Sequence, residues 1–300
     1  MAKIRSRASN DTDCATQSIT HDGIERTYRL HTPPGYDATE PTPLVIALHG
    51  GGGSGEKMDE LTGGLNALAD REGFIVVYPD GVEKHWNDGR NILKWRAHRE
   101  NIDDVGFLST LIEHLERDSN IDAKRVYVAG ISNGGMMAFR LACELPEKIA
   151  AIAPVVASIS ENLVAQCAPS QPVPVLIISG TEDPLVPWEG GEVRVGDQVL
   201  GKVLSASDTA QFWGTQNHCA TSPTITWEPD RDPEDGTQVR REAYEQCNDG
   251  NEVILYTIEG GGHTWPGGQQ YLPEDVVGRV SQDIDANEII WRFFEGYTKE

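Results

Sequence analysis

The sequence predicts an α/β fold, in which one domain is built on a mostly parallel β-sheet with helices on its faces. Short apolar runs of strand character alternate along the chain with stretches whose apolar residues recur at helical spacing, which is the pattern of successive βαβ units. No segment has the composition of a long linker, and we find no internal repeat. A single α/β domain of 300 residues is common.

Six apolar runs are the candidate strands of this sheet. In chain order they are TPLVIAL, GFIVVYP, KRVYVAG, IAAIAPVVA, VPVLIISG and EVILYTIEG. Helices are predicted between them for residues 57–71, for VGFLSTLIEHLERD and for GGMMAFRLACELPE. The second helix follows Asp103 and Asp104, whose carboxylates suit an N-cap. Ahead of all these runs, two extended segments flank His21-Asp22-Gly23.

The charge of the chain excludes some classes of partner. The formal net charge is −22, so the phosphates of nucleic acids and of anionic membranes would be repelled. No apolar run approaches the roughly 20 residues that a membrane-spanning helix needs. We therefore expect neither a nucleic acid nor a membrane as a partner.

Three residue types that can carry out acyl transfer stand directly after predicted strands. Ser132 follows VYVAG within GISNG, Asp183 follows VLIISG, and His263 follows ILYTIEGGG. Functional groups gather at the carboxyl ends of strands in a parallel sheet, and serine, acid, histidine is the chain order of α/β-hydrolases. The pattern G-x-S-x-G alone also fits a turn that merely needs small residues. Its position between a strand and a helix, together with the other strand ends, favours a nucleophile.

The chemistry explains these residue types. A serine hydroxyl needs a positioned base, and His263 can take the Ser132 proton because imidazole titrates near neutral pH. Asp183 would then fix the histidine tautomer and stabilise the imidazolium. Glu182 competes with Asp183 for this role. Among other acids, Asp80 is better explained as a turn residue, and the pair Asp103 and Asp104 as a helix cap.

An oxyanion intermediate needs preorganised N–H donors. We expect one from Asn133, which follows the nucleophile, and one from the loop His49–Gly53, where Gly51 is preferred among neighbouring glycines. His49 is expected to hold this loop by hydrogen bonds. The other histidines are expected to have surface or packing roles; they are His21, His31, His85, His98, His114 and His218.

No cofactor or metal is expected. The acidic stretch DRDPEDG contains a proline and lacks the spacing of a calcium loop. No cysteine or histidine pattern fits zinc, and no glycine motif fits a nucleotide.

Six motifs together resemble a known family. LHGGGGSG, YPDG, DDVGFL, GISNGGMMAF, ISGTEDPLVP and EGGGHTWPGG occur in this order, and they are similar to the polyhydroxybutyrate depolymerase and feruloyl esterase family (LpqC-like serine esterases) over about residues 20–297. The resemblance implies an α/β-hydrolase fold, the triad Ser132, Asp183 and His263, and carboxylic ester hydrolysis. It also implies export from the cell and disulfide bonds.

The expected domain organisation is simple. Residues 1–18 are expected to be an N-terminal tail, either native or added for expression, because they have no apolar segment of a secretory signal. Residues 19–300 form the α/β-hydrolase catalytic domain. Within it, residues 221–246 are polar and are predicted to be a hairpin inserted upon the domain.

Five cysteines leave one unpaired if two bridges form. Cys219 and Cys247 flank the polar excursion and would clasp its base, a contribution of about 3 kcal/mol. Cys143 with Cys167 is a second candidate pair, which leaves Cys14 odd.

The family that the motifs resemble includes enzymes for several kinds of ester. Relatives in the family cleave hydroxycinnamate or acetyl groups from plant polysaccharide, and others cleave polyesters. Trp86, Trp188 and Trp265 are expected to line an aromatic cleft, unless they are packing residues, whereas Trp227 and Trp291 are expected to be structural. The leading hypothesis is an extracellular feruloyl or acetyl esterase. Polyester hydrolysis, acyl transfer to another acceptor and a catalytically silent binding protein remain alternatives.

Overall fold

The structure is a computed structural model that describes residue 14 and residues 16–299. This part of the chain contains twelve β-strands and nine α-helices. The strands are β1 (Thr16–His21), β2 (Ile24–His31), β3 (Thr42–Leu48), β4 (Ile75–Pro79), β5 (Ile121–Ile131), β6 (Ala151–Val155), β7 (Val175–Gly180), β8 (Gly191–Val195), β9 (Gln198–Val203), β10 (Thr224–Trp227), β11 (Gln238–Tyr244) and β12 (Val253–Glu259). The helices are α1 (Gly55–Thr62), α2 (Leu65–Glu72), α3 (Arg96–Arg99), α4 (Asp104–Asp118), α5 (Asn133–Glu144), α6 (Glu161–Val164), α7 (Ala206–Gln216), α8 (Glu274–Val277) and α9 (Ala286–Phe294).

Ten strands form one sheet in the order β1-β2-β4-β3-β5-β6-β7-β12-β11-β10. The six central strands, β4 to β12 in that order, are parallel, and the two strands at each edge are antiparallel to their neighbours. The prediction of a mostly parallel sheet is confirmed, and all six candidate strands are present.

Helices cover both faces of this sheet, and the strands feed two cores. Along β3, Leu44, Ile46 and Leu48 belong to the core beneath α4, α5 and α7. Val45 and Ala47 point the other way, into the core beneath α2 and α9. Side chains alternate across a strand, so a strand buried on both faces is apolar throughout. This is why β3 is a continuous apolar run in the sequence.

The predicted helix over residues 57–71 is two helices. α1 ends at Gly63, which has φ 58° and donates its N–H to the carbonyl of Asp59, and α2 starts after Gly64. A left-handed glycine is a common helix stop, so the Gly63-Gly64 pair explains the break. The N-cap predicted at Asp103 is present, since its carboxylate accepts the N–H of Gly106.

The expected boundary of the N-terminal tail needs correction, and the predicted hairpin is part of the central sheet. β1 starts at Thr16 and pairs with β2, so the folded domain extends into residues 1–18; residues 1–13 and 15 lie outside the described part. The excursion at residues 221–246 does contain a hairpin, β10–β11, but β11 pairs with β12. The hairpin therefore continues the central sheet, because its polar face can stay exposed at a sheet edge.

The structure contains two disulfides, Cys219–Cys247 and Cys143–Cys167. These are the two pairs considered from the sequence. Cys14 is the free cysteine of the described residues. No helix within residues 16–299 combines the length and apolar character required to cross a lipid bilayer.

Candidate active site

Ser132 occupies a sharp turn between β5 and α5. Its φ and ψ are 55° and −119°, a conformation that non-glycine residues rarely adopt and that is found where surrounding structure enforces it. Its N–H donates to the carbonyl of Val155 at 2.9 Å. This strand–turn–helix geometry is that of a nucleophile elbow.

The glycines on either side of Ser132 permit close packing of that turn. A Cβ on Gly130 would lie 2.5 Å from the carbonyl carbon of Gly134, and one on Gly134 would lie 2.3 Å from the oxygen of Leu48. Real Cβ atoms do not approach backbone this closely. The two glycines of G-x-S-x-G are thus required for α5 to start directly above β3 and β5.

His263 and Asp183 form a buried hydrogen-bonded pair. Nδ1 of His263 lies 2.7 Å from Oδ2 of Asp183, and their side chains are 5% and 2% exposed. Oδ1 of Asp183 accepts the N–H groups of Leu185 and Val186 at 2.8 and 2.9 Å. Since the carboxylate only accepts, Nδ1 carries the proton and Nε2 is left as the basic nitrogen.

Ser132 and His263 line the same cleft, although Ser132 Oγ makes no hydrogen bond to His263 in this structure. The other acids considered from the sequence lie elsewhere. Glu182 is exposed, and Asp80 accepts bonds from Thr27 and Gly55. Asp104 forms an ion pair with Arg26 and Asp103 caps α4.

The loop His49–Gly53 passes beside the serine. Two of its N–H groups are already used, because Gly52 donates to the carbonyl of Lys84 at 2.8 Å and Gly53 to that of Gly50 at 3.0 Å. Among the described residues, the N–H groups of Gly50, Gly51 and Asn133 have no acceptor. They are therefore available to a ligand in the cleft.

His49 holds this loop in place, as expected from the sequence. Its Nδ1 donates to the carbonyl of Gly50 at 2.7 Å, and its Nε2 accepts the N–H of Gly81 at 2.9 Å. Its own carbonyl accepts the indole N–H of Trp86. Burial lowers the pKa of His49 to about 4, so the ring is neutral at neutral pH, as its accepting Nε2 requires.

The cleft above these residues has a volume of about 890 Å³. Apolar side chains provide much of its wall. They are Met58, Leu61, Ile131, Leu185, Val186, Val193, Val195, Leu200, Leu272, Val276 and Val277. Tyr271 also lines it, and its hydroxyl donates to the carbonyl of His263 at 2.9 Å.

The tryptophans predicted to line the cleft are not on its surface. Trp86 is 0% exposed and Trp265 is 1% exposed, because the indole N–H of Trp86 reaches the His49 carbonyl and that of Trp265 reaches Asn287. Trp188 is half-buried against the core and does not contribute to the cleft wall. Trp291 is buried as expected, whereas Trp227 is 56% exposed on β10.

Sequence reasoning missed Trp95, which lines the cleft together with His85. The two rings stack with centroids 4.1 Å apart at 25°. Nδ1 of His85 donates to the carbonyl of Glu83 at 2.8 Å, and desolvation lowers the pKa of His85. Trp95 does not follow a predicted strand, so the strand-end criterion could not find it.

The β8–β9 hairpin, here called the arm (residues 191–203), was also missed. Its strands β8 and β9 pair with each other in a separate two-stranded sheet. Four of its side chains line the cleft, those of Val193, Val195, Gln198 and Leu200. A signal was present, because Gly196-Asp197 separates two short alternating runs, the typical connection of a tight hairpin.

The described residues contain one group that could hold a metal ion, His21, Asp22 and Asp103. Both carboxylates are exposed, and none of the three residues lines the cleft.

Comparisons with known proteins identify the family of the chain. The family model described as Esterase PHB depolymerase matches residues 26–168. The chain is 33% identical over 300 residues to the "Putative esterase NocK" of Nocardia uniformis subsp. tsuyamanensis, covering 98% of this chain and 86% of that protein. It is 31% identical over 240 residues to feruloyl esterase B of Piromyces equi, covering 77% of this chain but only 41% of that longer protein.

Among solved structures, acetyl xylan esterase from Aspergillus awamori has the same fold. The TM-score is 0.57 at 16% identity, and the match covers 83% of this chain and 94% of that one. The chain therefore belongs to the PHB depolymerase family of esterases, which are carboxylic ester hydrolases with the α/β-hydrolase fold.

Proposed function

We propose that the protein is a serine esterase that releases hydroxycinnamate or acetyl groups from plant polysaccharide, with Ser132, His263 and Asp183 as its catalytic triad. The observation that carries this proposal is the buried His263–Asp183 pair in the same cleft as the strained Ser132 turn. Its reaction is acyl transfer through a covalent acyl-enzyme.

In the first half-reaction Ser132 Oγ attacks the ester carbonyl carbon while its proton passes to Nε2 of His263. Asp183 stabilises the imidazolium that forms. His263 then gives the proton to the alcohol oxygen as the ester C–O bond breaks. In the second half-reaction water attacks the acyl carbon, gives its proton to His263, and releases the acid while Ser132 regains its hydroxyl.

The N–H groups of Asn133 and Gly51 are proposed to bind the oxyanion. Each has no acceptor within the described chain, and each belongs to a cleft-lining residue. The Gly52 and Gly53 donors are used within the protein, which supports the choice of a donor earlier in the loop. Such preorganised donors act without reorganising during the reaction.

The substrate class rests on the cleft and on the relatives. The cleft volume of about 890 Å³ lies in the range of pockets that hold drug-sized ligands, and the His85–Trp95 stack forms an aromatic part of its wall. Two relatives are named feruloyl esterase B and bifunctional acetylxylan esterase/xylanase XynS20E. The chain spans 41% and 29% of those proteins.

A second candidate, polyester hydrolysis, is favoured by the rim of the cleft. The described residues include eight exposed large apolar side chains, and four of them, Val195, Tyr271, Leu272 and Val276, line the cleft. Exposed apolar patches commonly mark interaction sites, and a polyester chain would cover them.

We also propose that the protein acts outside the cell. Its two disulfides are typical of proteins in oxidising compartments and are rare in the cytosol.

A substrate panel tests the proposed function. Purified protein would be assayed with 4-nitrophenyl acetate, methyl ferulate, acetylated xylan and polyhydroxybutyrate particles, each beside Ser132→Ala. Turnover of methyl ferulate or acetylated xylan that is lost in the variant supports the proposal. Release of hydroxybutyrate with neither of those activities would establish the polyester alternative, and product that appears only with an added alcohol would establish acyl transfer.

A further inference from the structure

A second set of buried charges lies directly behind the proposed oxyanion donor. It belongs to residues 86–90, here called the buried loop. Loops usually run over the surface because their backbone needs water, yet Trp86 and Asp88 are 0% exposed and Arg90 is 4% exposed. A buried loop must satisfy its polar groups within the protein, so its partners are informative.

The side chain of Asn133 is one of these partners. Its Oδ1 accepts the N–H of Trp86 at 2.8 Å, and its Nδ2 donates to the carbonyl of Trp86 at 3.0 Å and to Oδ2 of Asp88 at 2.6 Å. The backbone N–H of the same residue is the proposed oxyanion donor. Three hydrogen bonds therefore connect the residue that carries this donor to the buried loop.

The negative charge of Asp88 is paired with the positive charge of one neighbour, Arg90. Oδ2 of Asp88 accepts Nη2 and Nε of Arg90 at 2.7 and 2.9 Å, and Oδ1 accepts the backbone N–H of Arg90 at 3.0 Å. Nε2 of the buried His98 is 3.7 Å from Oδ1, beyond hydrogen-bond distance. Burial alone would raise the pKa of Asp88, but the charge and hydrogen bonds of Arg90 hold that pKa below its usual range.

Arg90 also reaches the arm. Its Nη1 donates to the carbonyl of Leu200 on β9 at 3.0 Å. A Cβ on Gly201 would lie 3.2 Å from Cβ of Arg90, so the arm packs closely against this residue. The guanidinium thus bonds the arm with one nitrogen and Asp88 with the others.

We propose that Asp88 and Arg90 are positioning residues that hold the oxyanion donor and the substrate-contacting arm in a fixed relation. The inference rests on the proposed function, in which Ser132 is the nucleophile and Asn133 supplies an oxyanion N–H. Asp88 acts through Asn133 on the reacting carbonyl. Arg90, which itself lines the cleft, holds the neighbouring wall through its bond to Leu200.

Asp88→Asn tests the first half of the proposal. Because the variant loses the charge that orients Asn133, we expect kcat to fall by roughly 10-fold or more on both 4-nitrophenyl acetate and methyl ferulate, with KM changed less than about 2-fold. The matched control is Asp104→Asn. Asp104 is equally buried, pairs with Arg26 at 2.7 Å and accepts the N–H of Asn87, but it does not touch Asn133.

Both Asp104→Asn and Asp88→Asn should lose thermal stability, because each removes a buried charge. The kcat of Asp104→Asn should stay within about 2-fold of the wild type, since the Asn133 N–H is not disturbed. Equal losses of kcat in the two variants would show that any weakening of the buried loop is enough to lower kcat, and would overturn the inference. So would an unchanged kcat in Asp88→Asn. Residual activity in Ser132→Ala, measured in parallel, contradicts the serine mechanism instead.

Arg90→Lys tests the second half, and it serves alone if Asp88→Asn does not fold. Lysine keeps the charge beside Asp88 but cannot bond both Asp88 and Leu200 in the same geometry. We expect KM for methyl ferulate to rise at least about 3-fold more than KM for 4-nitrophenyl acetate, because the larger substrate needs the arm. Equal changes in both KM values would overturn the role of Arg90.

Discussion

Nδ1 of His263 and Oδ2 of Asp183 are 2.7 Å apart, although 80 residues separate them in the chain. The parallel order of β7 and β12 brings them together, since these strands are neighbours in the sheet. Both oxygens of the carboxylate are hydrogen-bonded, one to the imidazole and one to two backbone N–H groups. The acid and base are thus already oriented before a substrate binds.

Ser132→Ala should abolish ester hydrolysis, with a loss of kcat of at least roughly 10⁴-fold. His263→Ala should lose as much kcat as Ser132→Ala, because members of a triad act as a unit. Thermal unfolding of Ser132→Ala should be almost unchanged, since the hydroxyl makes no side-chain hydrogen bond within the described structure. Initial rates with 4-nitrophenyl acetate measure the loss of activity, and a melting curve measures the thermal stability. Activity above a few per cent of the wild type would show that Ser132 is not the nucleophile.

Asp183→Asn should lose somewhat less activity than the serine variant, because the amide still orients the imidazole but no longer favours its correct tautomer and charge. Glu182→Gln is the matched control. The Glu182 carboxylate is exposed and makes no hydrogen bond to His263. The kcat of Glu182→Gln should therefore stay within about 2-fold of the wild type. A larger loss in Glu182→Gln than in Asp183→Asn would reverse the assignment of the acid.

His49 should make the protein sensitive to acid. Burial lowers its pKa to about 4 in the folded state from the ordinary value of 6.5, so below about pH 6.5 the unfolded chain binds a proton that the folded one does not. Its contribution to stability is complete above that pH and is lost as the pH falls towards 4. The loss amounts to roughly 3 kcal/mol.

His49→Gln removes this titration and provides the comparison. Urea unfolding at several pH values should show the stability difference between wild type and variant shrinking by roughly 3 kcal/mol between about pH 7.5 and about pH 4. The difference between the proteins isolates His49, because other titrating groups are common to both. A difference independent of pH would mean that His49 is not held neutral by burial.

The Cys219–Cys247 disulfide should stabilise the edge of the sheet. It closes a separation of 28 residues around β10 and β11, for which the chain-entropy estimate is about 3 to 4 kcal/mol. A Cys219→Ser/Cys247→Ser variant should lose this amount in urea unfolding. Cys143→Ser/Cys167→Ser, with a separation of 24, should lose a similar amount, and a loss below about 1 kcal/mol in either would contradict the estimate.

Thiol labelling gives an independent count of the bridges. Unfolded, unreduced protein should expose one reactive thiol, that of Cys14. In the native protein this thiol should react slowly, because burial raises its pKa and the thiolate is the reactive form. Three or more reactive thiols without reductant would show that a disulfide is missing.

The sequence places the three residues of the proposed triad near one another, because their positions follow from the fold. Ser132, Asp183 and His263 each come directly after an apolar strand, and the carboxyl ends of parallel strands must lie at one edge of the sheet. His49 was found in the same way. For these residues the order along the chain is enough to fix their neighbourhood.

The wall of the cleft could not be found by that reasoning. Trp86 and Trp265 also lie near strand ends, but their indole N–H groups are directed inwards by His49 and Asn287. Side-chain direction depends on partners that come from distant parts of the chain. Trp95 lines the cleft because His85 stacks on it, a contact between two loops for which no periodicity exists.

Trp95→Leu should discriminate between aromatic and small acyl groups. The His85–Trp95 stack is an aromatic part of the cleft wall, and an aromatic contact contributes about 0.5 to 1.5 kcal/mol beyond the buried area. We therefore expect kcat/KM for methyl ferulate to fall roughly 2- to 10-fold more than that for 4-nitrophenyl acetate.

Trp227→Leu is the surface control, because that ring is 56% exposed on β10, and Trp265→Phe is the core control. Neither should change the ratio of the two substrates, although Trp265→Phe should lower the melting temperature because it loses the bond to Asn287. If Trp95→Leu lowers both rates equally, the stack supports the loop without contacting the acyl group.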